Sequence, residues 1–124
     1  ERHLAASRVI ATHVHIGVSY TEALKLFSIC SRDVISTLAS MGDHSDGKRM
    51  AAYKAMAQTD GCLPKFHTFE DLLAYIENHG GEKNVWDLVR YKPSTKTMEF
   101  RMFGSTPKVE EVIEYARACL QLLS

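Results

Sequence analysis

The sequence predicts an α+β domain, with helices packed on one face of a largely antiparallel sheet. Segments rich in β-branched or alternating residues lie near both ends of the chain, and amphipathic stretches that open on capping residues fill the space between. Two apolar segments late in the chain are separated only by Lys92-Pro-Ser-Thr-Lys96, a natural hairpin connection.

Residues 8–18 contain Val9, Ile10, Val14, Ile16 and Val18 and include Gly17, which predicts a strand. Ser19-Tyr-Thr-Glu22 is a capping box, and Leu24, Phe27, Val34, Leu38 and Met41 follow at helical spacing, so one long helix is expected over about 20–41 with Gly42 as its terminator. The polar stretch 42–47 reads as a loop, and Met50, Tyr53 and Ala57 suggest a short helix or ordered turn over 48–58. A loop is expected over 59–65. Thr68 then caps a helix that should bury Leu72, Leu73, Tyr75 and Ile76 and end at His79-Gly80-Gly81. Strands are expected over 84–91 and 97–103, with Trp86 in the core. The last helix is expected to begin at Pro107 behind the cap Thr106, burying Val109, Val112, Ile113, Ala116, Leu120 and Leu123. The order is β-α-(α)-α-β-β-α, a single domain over 1–124.

The chain has 124 residues, 45% apolar and 24% charged, enough for one ordinary core and unlike a disordered segment. Fifteen basic residues balance fifteen acidic ones, so no global charge favours nucleic acid, and no apolar run suggests a membrane span. Cys30, Cys62 and Cys119 are widely spaced without a CxxC pattern, which suits buried or free thiols in a reducing, cytoplasmic setting. The first residue is Glu1, which suggests a processed or excised piece of a longer chain.

Two patterns place chemistry on strand faces. His13 and His15 are two apart and share a face, a pairing that suits a metal or a phosphate and equally an ordinary solvent-facing surface. In Thr97-Met-Glu-Phe-Arg-Met-Phe103, Met98, Phe100 and Met102 face one way while Thr97, Glu99 and Arg101 face the other. A carboxylate beside a guanidinium suits Mg²⁺ and an anion, or else is a same-face ion pair worth less than about 1 kcal/mol. Arg49 beside Lys48, after the polar loop, suits an anion or a solvated surface. Asp87 and Arg90 add charge to the strand that holds Trp86.

These pieces stand in an order that resembles a known family: Thr12-His-Val-His-Ile-Gly-Val18, Arg49, Gly61-Cys-Leu-Pro-Lys-Phe66, Val85-Trp-Asp-Leu-Val-Arg90, then Thr97-Met-Glu-Phe-Arg101. From about Val9 to Leu123 the chain resembles the C-terminal part of carboxylate-amine ligases of the glutamate–cysteine ligase type. Thr97–Thr106 is similar to the related amidoligases of the same glutamine-synthetase-like superfamily. The resemblance implies half of a glutamine-synthetase-like catalytic domain and an ATP- and Mg²⁺-dependent reaction. A carboxylate, in the family usually that of glutamate, attacks the γ-phosphate, and an amine displaces phosphate from the acyl phosphate. It implies His13 and Glu99 as metal ligands, His15 and Arg90 as nucleotide contacts, Arg101 as a phosphate-binding catalytic residue, and Arg49 as a contact to substrate carboxylate or phosphate. Arg90 lies one residue beyond the W-D-x-R spacing, and Gly104 stands where one branch has Asp. The family's G-x-E-x-E strand has no counterpart here, so the resemblance implies a C-terminal region completed by a missing N-terminal half or a partner chain, with self-association of an isolated half. A noncatalytic ligand- or protein-binding domain derived from that fold is the alternative.

Overall fold

The computed structural model describes residues 11–43, 45, 47–57 and 62–124. The expected strand start at residues 8–10 and the expected structure at 58–61 lie outside them. Among the described residues the fold is the expected α+β arrangement. Strand β1 (Ala11–Gly17) is followed by α1 (Tyr20–Ile29), α2 (Arg32–Ser40), α3 (Lys48–Ala57) and α4 (Phe69–Asn78). A single 3-10 turn (Glu82–Asn84), β2 (Val89–Lys92), β3 (Thr97–Gly104) and α5 (Val109–Gln121) complete the chain.

The sheet order is β1-β3-β2, antiparallel throughout, so β3 is central. Four of its side chains, Met98, Phe100, Met102 and Phe103, have no exposed surface. Each such burial contributes roughly 1.5–3 kcal/mol. Val14, Ile16, Val89 and Tyr91 from the edge strands join them, with Leu26, Phe27, Ile35, Leu38, Leu72 and Ile76 from the helices. The hairpin between β2 and β3 follows the expected turn chemistry. Thr95 N–H donates to the Lys92 carbonyl at 3.2 Å, which puts Pro93 at the second turn position, where its fixed φ fits.

The capping box at Ser19 is present in both directions, with Ser19 N–H to Glu22 and Glu22 N–H to Ser19. The single helix expected over 20–41 is in fact two. Ser31 takes an extended backbone and its side chain accepts from Val34 N–H at 3.3 Å, so it starts α2 as a second N-cap. The buried set shows why the break matters: Ala23, Leu26, Phe27 and Cys30 keep helical spacing, but the next buried residue is Ile35, one position out of phase.

Three further expectations are corrected. The strand expected from residue 84 begins only at Val89, because 82–84 form the 3-10 turn and Val85–Leu88 have no ladder, and Trp86 lies 43% exposed rather than in the core. Leu73 is exposed on α4, whose core contacts are Leu72 and Ile76. Helix α5 starts at Val109 behind Lys108, without a side-chain cap. Its buried side is Tyr115 and Cys119, so Val109, Val112, Ile113 and Leu120 are exposed. Stacking of Tyr115 on Phe103, with ring centroids 4.6 Å apart, sets this rotation of the helix. No helix among the described residues is long and apolar enough to cross a membrane.

The end of β3 is closed by a backbone approach. Gly42, at φ +70°, and Gly104 face each other so closely that a Cβ on Gly104 would overlap the Gly42 carbonyl. Since that obstacle is main chain, Gly104→Ala is expected to destabilise the domain by about 2 kcal/mol or more, read as a lower urea midpoint. An unchanged midpoint would show that the two loops separate freely.

Candidate functional site

Antiparallel pairing brings the polar residues of all three strands to one place. In the register, His15 of β1 is opposite Glu99 of β3, and Glu99 is opposite Arg90 of β2. The three therefore form one rung across the sheet, with the carboxylate in the middle. Beside it the pairing steps from Thr12↔Phe103 to Val14↔Phe100, so two β3 residues, Arg101 and Met102, oppose His13. This bulge lies next to the rung and aims Arg101 and His13 at the same carboxylate.

Glu99 is 3% exposed, which a bare carboxylate would not tolerate. Its Oε1 accepts from Arg90 Nε at 2.5 Å and lies 3.6 Å from Arg101 Nε, while its Oε2 lies 2.9 Å from His15 Nε2 and 3.7 Å from His13 Nδ1. Burial alone would raise its pKa, but the charge and hydrogen bond of Arg90, then Arg101 and His15, pull it below the ordinary carboxylate value. Burial lowers the pKa of His13, and the charge of Arg101 lowers it further, against the opposing pull of Glu99.

The two arginines are held differently. Arg90 also donates through Nη1 to the carbonyls of Glu82 at 2.7 Å and Val85 at 3.1 Å, so the turn before β2 fixes its guanidinium. Arg101 lies over two aromatic rings, 5.8 Å from the Tyr53 centroid and 5.6 Å from that of Trp86, and its Nη1 makes one long hydrogen bond, to the Val85 carbonyl at 3.5 Å. Its Nε is buried with no hydrogen-bond partner, an orphaned donor at the centre of the cluster.

Five of the six residues singled out from the sequence thus come together: His13, His15, Arg90, Glu99 and Arg101. Arg49 takes another position. It is 7% exposed and its Nη2 donates to the carbonyls of Met102 at 2.5 Å and Ala39 at 3.3 Å, bracing α3 against α2 and the end of β3. Burial lowers its pKa. A guanidinium used this way braces the fold, apart from the other five residues. Two members of the neighbourhood, Tyr53 and exposed Trp86, carried no polar pattern in the sequence. The only hint was an aromatic residue within a few positions of Asp87 and Arg90.

The donor set does not suit the Mg²⁺ ion expected on His13 and Glu99. Mg²⁺ seeks oxygen ligands in octahedral array, whereas both Glu99 oxygens are already engaged by cations and imidazole. Among the described residues no group of three or more His, Cys, Asp or Glu side chains is arranged to hold a metal. Two guanidiniums against one carboxylate leave the face net positive, which suits an anion. The thiols stand apart: burial raises Cys30 to about 11 and Cys119 to about 12, and Cys62 is exposed. No protein-family model, curated protein or solved structure matches this chain.

Removing Glu99 leaves its cations facing each other. Glu99→Ala is expected to destabilise the domain by on the order of 3 kcal/mol in urea unfolding at pH 7, and a loss below the measurement error would show the rung to be incidental. The acid limb carries the same signature. With its folded pKa below the ordinary 4.5, Glu99 stabilises fully above that value, and the contribution is lost as pH falls through the folded value. The isosteric Glu99→Gln should therefore flatten the fall of stability below pH 4.5, and parallel acid limbs would contradict this.

Proposed function

We propose that this chain is the C-terminal catalytic region of an ATP-dependent carboxylate-amine ligase, with its polar sheet face holding phosphoryl oxygens. The observation that supports this most is the convergence of His13, His15, Arg90 and Arg101 on one buried carboxylate, with the Arg101 Nε left unpartnered. Glu99 orients the two forks, and Arg101 keeps the donor capacity that an incoming phosphate or acyl phosphate would use. In this reading a carboxylate, taken as that of glutamate, takes the γ-phosphoryl group and releases ADP. An amine then displaces phosphate to form the amide. An N-terminal half or a partner chain supplies the remaining groups, and the reaction belongs to the cytoplasm, where ATP and reduced thiols coexist.

The engagement of both Glu99 oxygens favours a second reading, a noncatalytic domain that binds an anion on the same face. Amide formation or ATP turnover, once an N-terminal half is supplied, separates the two.

Both readings require the arginines. Calorimetric titration with ATP at low ionic strength should show binding that weakens at least tenfold in Arg101→Ala and falls steadily with added salt. Equal affinity in wild type and Arg101→Ala would remove this face from consideration.

A further inference from the structure

Trp86 is the chain's single tryptophan and it is 43% exposed, though the backbone on either side of it is tied down. Its neighbours Val85 and Leu88 are buried, and its carbonyl accepts from the Tyr53 hydroxyl at 2.7 Å. Asp87 accepts from the Tyr75 hydroxyl at 2.7 Å. The indole is therefore presented by a fixed backbone. It packs against the Arg101 guanidinium, which in turn lies 3.6 Å from Glu99. A large aromatic surface left open beside a cationic cluster matches a ligand that is itself anionic at one end and flat and aromatic at the other.

We propose that Trp86 is the stacking surface for the base of a nucleotide whose phosphates lie on the Arg101 side. The face thereby selects nucleotides over inorganic polyphosphate. This rests on the anion-binding reading of the sheet face and adds the side chain that would hold the base. The guanidinium polarises the indole from one side, and the base would cover part of the surface that is now open.

The same residue reports the test, because all tryptophan fluorescence of this chain comes from Trp86. The full chain is titrated in Mg²⁺-containing buffer with ATP, inorganic triphosphate and adenosine, by fluorescence and by calorimetry. ATP is expected to quench the emission and to bind roughly tenfold or more tighter than triphosphate. Trp86→Ala, with its fold checked by circular dichroism, should bring ATP down to the affinity of triphosphate while leaving triphosphate unchanged, and Trp86→Phe should restore most of the difference. Equal binding of ATP and triphosphate to the wild type overturns the inference, as does an equal loss for both in Trp86→Ala, which would mean that Trp86 only positions Arg101. If neither ATP nor triphosphate binds, the anion-binding reading falls and takes this inference with it.

Discussion

A buried carboxylate at the centre of a three-stranded sheet governs the arrangement of this domain's polar face. Glu99 sits on β3 between both edge strands, and every strand places a cationic or imidazole side chain against it. Leaving it ionised and unpaired there would cost several kcal/mol, so the pairing of β1 and β2 on either side is coupled to satisfying it. A register slip of one residue in either edge strand would turn His15 or Arg90 to the opposite face and strand the charge. The rung His15–Glu99–Arg90 thus ties sheet register to the chemistry of the surface.

That rung also divides the labour between the arginines. Arg90 is locked by the carboxylate and by two main-chain carbonyls, so it serves mainly to build the site. Arg101 is held by aromatic rings and by one long bond from Nη1 to the Val85 carbonyl, and its Nε has no hydrogen-bond partner. The rings come from different elements, Tyr53 from α3 and Trp86 from the irregular segment before β2. Tertiary packing of the helical layer reaches the polar face through the Tyr53 hydroxyl on the Trp86 carbonyl, the Tyr53 ring under Arg101 and the Tyr75 hydroxyl on Asp87.

Much of the site was legible in the sequence, because strand alternation alone puts His13 with His15 and Glu99 with Arg101. The burial of Glu99 was not legible, since alternation tells which face a residue takes and not what covers that face. Arg49 misled for a related reason: a basic residue after a polar loop looks solvated, and only the packing of α3 against α2 shows that its guanidinium caps internal carbonyls. The stripe of apolar residues on α5 misled in the opposite sense. Its periodicity is helical, yet Tyr115 on Phe103 rotates the helix so that Val109, Ile113 and Leu120 point outward.

What the sequence determined by itself is local. Capping boxes, turn chemistry and side-chain alternation depend on residues a few positions apart, so the α+β class, the hairpin, the caps at Ser19 and Thr68 and the two polar strand faces all follow from neighbours along the chain. The tertiary structure decided which strand is central, how α5 is rotated against the sheet, and that Arg49 leaves the polar face while Arg90 and Arg101 stay on it. Those outcomes depend on contacts between residues distant in sequence, and their energies exist only once the chain has closed around Glu99.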